Sequence, residues 1–179
     1  VSDRPMLFAY ADPPYPGHTK RGLYKSDPKC AEVCHRTLVS RLVEDYPDGW
    51  ALSTGSVNLR EVLRLCPPDT RVMAWVKPFA SFKPGVNPGY CWEPVLVRGG
   101  RKLGRDVPTV RDFVSANIVL QAGCAGAKPE QFCLWLFSVL GVRLGDKLHD
   151  IYPGSGAVRR TWDEHMADLA RASQITRPA

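Results

Sequence analysis

Short, mostly apolar runs alternate with stretches of helical period along this chain, and that alternation constrains its fold more than any other feature. The runs are Met6–Tyr10 and Gly49–Ser53, which read as buried strands, then Arg71–Val76 and Cys91–Val97, and a further strand is read at residues 147–152. After the first run, Cys30, Val33, Cys34, Leu38, Leu42 and Tyr46 fall at helical spacing over residues 29–46, and a second helical pattern runs from about Val57 to Leu65. Phe132, Trp135, Leu136, Val139 and Leu140 mark a third over Pro129–Leu140, with the proline suited to the first turn, and a fourth spans about Ala157–Ala172. Residues 112–121 fit strand and helix equally. Strand, helix, strand, helix, strand predicts an α/β fold, with a parallel-rich mixed sheet and helices on both faces. At 179 residues the chain is read as a single domain.

The first run ends in Asp12-Pro13-Pro14-Tyr15. A carboxylate followed by two prolines puts Asp12 at the carboxyl end of a strand, where it opens into a stiff loop. In open α/β sheets that edge binds ligands, although Asp-Pro is also ordinary turn chemistry. Near the other end, Asp150-Ile151-Tyr152-Pro153-Gly154-Ser155-Gly156 carries a strand into a helix through a turn that lets backbone approach a ligand. It lacks the fuller Gly-x-Gly-x-x-Gly pattern that a dinucleotide needs for its pyrophosphate; S-adenosylmethionine has no phosphate.

In this order the two motifs resemble the permuted amino-methyltransferases, which use S-adenosylmethionine to methylate the exocyclic N6 of adenine or N4 of cytosine. Lys128-Pro129 is similar to the Lys-Pro element of that family, and Trp75-Val76-Lys77-Pro78 and Trp92–Val97 resemble motifs shared with the RNA N6-adenosine methyltransferases. The resemblance spans roughly residues 6–162 and implies a Rossmann-like methyltransferase fold with permuted motif order. Its catalytic half would cover about residues 1–111 and its cofactor-binding half about 112–172, with 173–179 as a tail. It implies catalytic roles for Asp12, Pro13, Pro14 and Tyr15, and a cofactor site made of Asp12, Lys128, Asp150, Tyr152, Gly154, Ser155 and Gly156. No metal is called for. One departure stands out: bacterial members of the family normally continue from the last helix into a strand whose acidic residue holds the cofactor ribose, whereas the RNA-directed relatives manage without a standard version of it. Here Asp163 and Glu164 fall too early for that, so the cofactor-side edge reads as truncated. This predicts weak cofactor binding unless a partner subunit, a second copy in a homodimer or the tail closes the pocket.

The net charge of +6, with a pI of about 9.1, favours a polyanionic partner. The loop after the first motif carries His18, Lys20, Arg21, Tyr24 and Lys25, basic residues interleaved with an aromatic, which suits a nucleic-acid backbone beside an extruded base or a plain solvated loop. Arg98, Arg101 and Lys102 open a glycine-rich basic stretch that reads as a phosphate-contacting loop or a mobile hairpin tip. Lys77 at a strand end and Glu93 inside an apolar run are further candidates for the substrate side. Residues 78–90, rich in proline and glycine, read as a functional loop or a connector. Cys30, Cys34 and His35 invite a metal reading, which is set aside because the thiols share a helix face with Leu38 and Leu42 and no second ligand pair follows. Six cysteines in a chain of this size predict reduced thiols, and the absence of an apolar leader or long apolar run predicts a soluble, cytoplasmic protein.

The resemblance therefore implies an N6-adenine methyltransferase acting on nucleic acid, with DNA favoured over RNA. Cytosine-N4 or RNA adenosine methylation, methylation of a small molecule or a protein glutamine amide, and a catalytically silent subunit that binds nucleic acid or a partner stay open at this point.

Overall fold

The computed structural model describes residues 4–14, 33–78, 85–105, 107–119 and 127–175. The apolar runs form strands β1 (Leu7–Ala11), β2 (Gly49–Ser53), β3 (Arg71–Val76), β4 (Trp92–Gly99) and β6 (Lys147–Asp150), and the ambiguous stretch supplies a short β5 (Phe113–Ser115). Helices α1 (His35–Asp45), α2 (Leu59–Leu63), α3 (Glu130–Leu140) and α4 (Ala157–Ile175) lie between or after them, and a turn of 3₁₀ helix over Ser56–Asn58 leads into α2.

The strands join in one sheet of order β5-β3-β4-β2-β1-β6. β1 is parallel to both β2 and β6, and β3 is parallel to β5, whereas β4 runs antiparallel to β2 and β3. Every strand except β4 thus points the same way. A strictly parallel continuation from β2 to β3 is what strand and helix order alone suggests; instead β4 is wedged between them in reverse.

Alternation along β1 explains why its run is apolar at every position. Phe8 and Tyr10 face one core with Phe132, Leu136 and Phe137 of α3 and Val158 and Trp162 of α4. Ala9 and Ala11 face the other, with Leu38, Val39 and Leu42 of α1 and Val62 of α2. β2 does the same, sending Ala51 to the first core and Trp50 and Leu52 to the second. Fully burying an aliphatic or aromatic side chain stabilises by roughly 1.5–3 kcal/mol, so a strand with no solvent face is held from both sides.

The helix that follows β1 therefore packs on one face of the sheet, and the helix that follows β6 packs on the other. Chain connections leave these two adjacent strands in opposite directions, which opens a crevice between their carboxyl ends.

Candidate active site

Asp12 stands one residue beyond β1, on the rim of this crevice. Pro13 behind it is buried, so the stiff dipeptide is anchored rather than free to swing. Parallel alignment of β3 carries Lys77 to the same edge, and because β4 is reversed, its amino end brings Glu93 there too, opposite Trp75. Lys128 arrives from the segment before α3. Its ammonium lies 2.7 Å from Asp12 Oδ2 and 3.5 Å from Glu93 Oε2, and Lys77 donates to the other oxygen, Glu93 Oε1. The result is a continuous chain of opposite charges, Asp12–Lys128–Glu93–Lys77.

Aromatic rings wall this chain in. Lys128 Nζ sits 5.2 Å from the centroid of Trp75 and 5.8 Å from that of Phe132, and Lys77 Nζ sits 4.7 Å from the centroid of Trp75. Trp75 is itself fixed by donating its indole N–H to Ala116 O at 2.9 Å. The Lys128 side chain is 5% exposed, against 23% for Asp12 and 20% for Glu93, so the lysine lies beneath its two carboxylates. Burial works to lower the Lys128 pKa, but the charges of Asp12 and Glu93 and the hydrogen bonds to them outweigh it and raise the pKa overall.

Across the crevice, Asp150 ends β6, paired in register with Tyr10. Neither of its buried carboxylate oxygens reaches a hydrogen-bond donor at bonding geometry among the described residues. Burial first, and then the nearby charge of Asp12, push its pKa up from 3.8 to about 6; the Tyr152 backbone amide opposes this more weakly. Such an orphaned carboxylate suits a cationic ligand. Beyond it, Gly154 and Gly156 take left-handed φ values of +46° and +72°, a conformation side-chain-bearing residues rarely adopt. A Cβ built on Gly154 would approach nothing closer than Tyr152 O at 3.8 Å, so the turn has open space above it. Ser155 Oγ accepts weakly from the Ala157 amide at 3.4 Å as α4 begins. An open glycine turn beside an orphaned carboxylate fits a ligand that carries a cation and approaches backbone closely.

The structure thus gathers Asp12, Pro13, Pro14, Lys77, Glu93, Lys128, Asp150, Tyr152, Gly154, Ser155 and Gly156 along one edge of the sheet or the turn that follows it. Tyr15, His18, Lys20, Arg21, Tyr24 and Lys25 lie outside the described residues. Arg98, Arg101 and Lys102 lie elsewhere: reversal of β4 carries its end to the opposite edge, where Gly99 pairs with Gly49 at the start of β2. Arg98 belongs to the strand, not to a loop, and its Nε donates to both carboxylate oxygens of Asp69, at 2.9 and 3.1 Å. Arg101 is a buried structural residue, bonded to Asp146 at 2.7 Å with the two side chains 2% and 1% exposed. Lys102 is exposed but lies beside it, at the far edge from Asp12. The glycines there serve packing: a Cβ on Gly49 would lie 2.5 Å from the Gly100 nitrogen.

Cys34 is also corrected. It precedes α1 and is exposed, so it is not part of the apolar stripe, and the neighbouring His35 is buried with Nδ1 3.0 Å from Val33 O. Cys30 lies outside the described residues. Among the described residues no three His, Cys, Asp or Glu side chains form a metal-binding group, and the four described cysteines are free thiols. Among the same residues no helix is long and apolar enough to cross a membrane. Trp75 stands out in the sequence through the Trp75-Val76-Lys77-Pro78 motif, but nothing there marks it or Phe132 as a wall of the charged chain; Phe132 shows only helical period, which marks core and site alike.

A mostly parallel sheet with one reversed strand, helices on both faces and a crevice between the carboxyl ends of β1 and β6 defines a Rossmann-like α/β fold. The fold is similar to that in the crystal structure of the M1.HpyAVI–SAM complex, with a TM-score of 0.60 and 12% sequence identity, covering 90% of this chain and 79% of that one. No protein-family model matches the chain, and no curated protein matches it in sequence.

Proposed function

We propose that the protein is an S-adenosylmethionine-dependent methyltransferase that methylates the exocyclic N6 amine of adenine in nucleic acid, with DNA as the favoured polymer. The observation that carries this reading is Asp12, anchored by Pro13 on the rim of the crevice whose other side is a buried Asp150, with no side-chain donor bonded to it among the described residues, and a glycine turn open at Gly154. The solved structure with a similar fold is itself a SAM complex, which supports the choice of cofactor.

Charge supports it as well. Asp12, Glu93 and Asp150 set three carboxylates against the two ammonium groups of Lys77 and Lys128, so the ionised cluster carries one net negative charge. S-adenosylmethionine, with an ammonium, a sulfonium and a carboxylate, carries one net positive charge. When bound it supplies an activated methyl group. Asp150 would hold its ammonium, the Gly154–Gly156 turn would border its ribose, and Lys128 would meet its carboxylate.

The protein's own task is to prepare the amine. An exocyclic base nitrogen is a poor nucleophile because its lone pair is delocalised into the ring. Asp12 and the Pro13 carbonyl each accept one N–H, which localises that pair and turns it toward the methyl donor. Acceptors fixed before the reaction stabilise positive charge developing on nitrogen, and alignment of the two reactants contributes on the order of 7 kcal/mol or more. Tyr15, by the resemblance of its motif, stacks on the base, which is extruded from a duplex or arrives single-stranded. The methylated nitrogen then loses a proton to water.

Substitution Asp12→Ala tests this reading against a silent binding module. Loss of methyl transfer with retained folding and oligonucleotide binding is expected. A variant that still transfers methyl groups at the parent rate would remove Asp12 from the chemistry.

A further inference from the structure

Lys128 has more work to do than one ligand contact explains. It is the most deeply buried member of the charged chain, it touches both carboxylates on the crevice rim, and two aromatic rings restrict where its ammonium can go. An ammonium offers three donors. In the structure one is spent on Asp12 Oδ2 at 2.7 Å and another is directed at Glu93 Oε2 at 3.5 Å. The Asp12 carboxylate that must accept the base amine is thus already accepting from a buried cation.

Resting on the function proposed above, we infer that Lys128 couples the two ligand sites: a cofactor carboxylate and Asp12 draw on the same ammonium, so binding of one ligand tunes Asp12 as acceptor for the other. Glu93 makes the exchange affordable. A buried lysine stripped of every partner would be strongly destabilised, but Glu93 holds it from the opposite side whichever carboxylate it favours. As Lys128 shifts toward the cofactor, its hold on Asp12 Oδ2 weakens, and that oxygen becomes a better acceptor for the base amine. Coupling of this kind is reciprocal, so the base must strengthen cofactor binding by the same factor. Lys77, on the other oxygen of Glu93, keeps that carboxylate from following Lys128.

The test is fluorescence anisotropy of an adenine-containing single-stranded oligonucleotide with the full chain, titrated alone, with S-adenosylhomocysteine and with decarboxylated S-adenosylhomocysteine. Binding of both compounds is verified separately by calorimetry. S-adenosylhomocysteine should tighten the oligonucleotide about tenfold, within the ordinary range of coupling between sites, and the decarboxylated compound should not. Replacing the adenines by purine, which lacks the amine, should abolish the gain, and so should Lys128→Met. Equal tightening by both compounds, or a gain that survives the purine replacement, would overturn the coupling and leave the proposed function standing. The same holds if S-adenosylhomocysteine binds without changing oligonucleotide affinity. Failure of S-adenosylhomocysteine to bind at all would overturn both. Should Lys128→Met not fold, the comparison of the two compounds on the parent protein decides the matter by itself.

Discussion

Two carboxylates at the crevice have different electrostatic surroundings, and the difference is measurable. Asp12 is bonded to the Lys128 ammonium, whereas Asp150 is buried without a bonded donor among the described residues and has its pKa raised from 3.8 to about 6. The native state therefore holds the Asp150 proton more tightly than the unfolded chain does. The stability this contributes is complete below pH 3.8 and is lost as the pH rises through about 6. Asp150→Asn, which cannot ionise, should raise Tm above that of the parent at about pH 7.5, and the gap should close on acidification below about pH 4. A gap independent of pH would show that burial of the charge is not what strains this site. For Asp12 the expectation concerns rate: Asp12→Ala should lower kcat for methyl transfer by about 10²-fold or more, the usual loss when a fixed transition-state partner is removed, with oligonucleotide affinity in the absence of cofactor little changed.

At the level of elements, the turn between β6 and α4 and the far end of β4 make opposite predictions. Gly154→Val forces a branched side chain into φ +46° and projects it into the open space above the turn. The conformational cost is about 1–2 kcal/mol, and S-adenosylhomocysteine affinity measured by calorimetry should fall about tenfold or more. At the other edge, Arg101→Met breaks the buried pair with Asp146 and should destabilise the fold by about 3–5 kcal/mol in denaturant titration. Lys102→Ala should leave oligonucleotide affinity and its salt dependence unchanged; a flatter salt slope would place that edge on the nucleic acid after all.

These two ends also show what the sequence makes legible. β2 and β3 have the bounds their apolar runs predict, β1 is displaced by a single residue, the apolar stripe of α3 is where the period puts it, and α4 begins where its pattern does and runs three residues further. Strand direction is another matter. Hydrophobic alternation is the same whichever way a strand runs, so nothing in Trp92–Gly99 announces that β4 is reversed. That one reversal sends Glu93 to the edge that Asp12 occupies and Arg98, Arg101 and Lys102 to the opposite one, where Arg98 pairs with Asp69 and Arg101 with Asp146. β5 escaped assignment because three residues on an exposed sheet edge carry too little pattern. Asp12 and the glycine turn were readable because proline and glycine act through the local backbone. Lys77, Glu93 and Lys128 were readable as single candidates but not as a chain, because sheet register brings the first two together and the segment before α3 adds the third.

In the molecule as a whole, a sheet that opens at the carboxyl ends of β1 and β6 and a charged cluster with one excess carboxylate on the same edge sit within a chain of net charge +6. A basic body carrying a locally acidic pocket attracts a polyanion while reserving the pocket for a cation. The most direct measurement is incubation of the purified protein with S-adenosylmethionine and separate pools of duplex DNA, single-stranded DNA and RNA, followed by mass spectrometry of the nucleosides. The account predicts N6-methyladenine in a DNA pool, dependent on Asp12. A methyl group on RNA adenosine alone, or on cytosine N4, would overturn the substrate while keeping the chemistry of the site, and no methylated nucleoside in any pool would contradict the central claim.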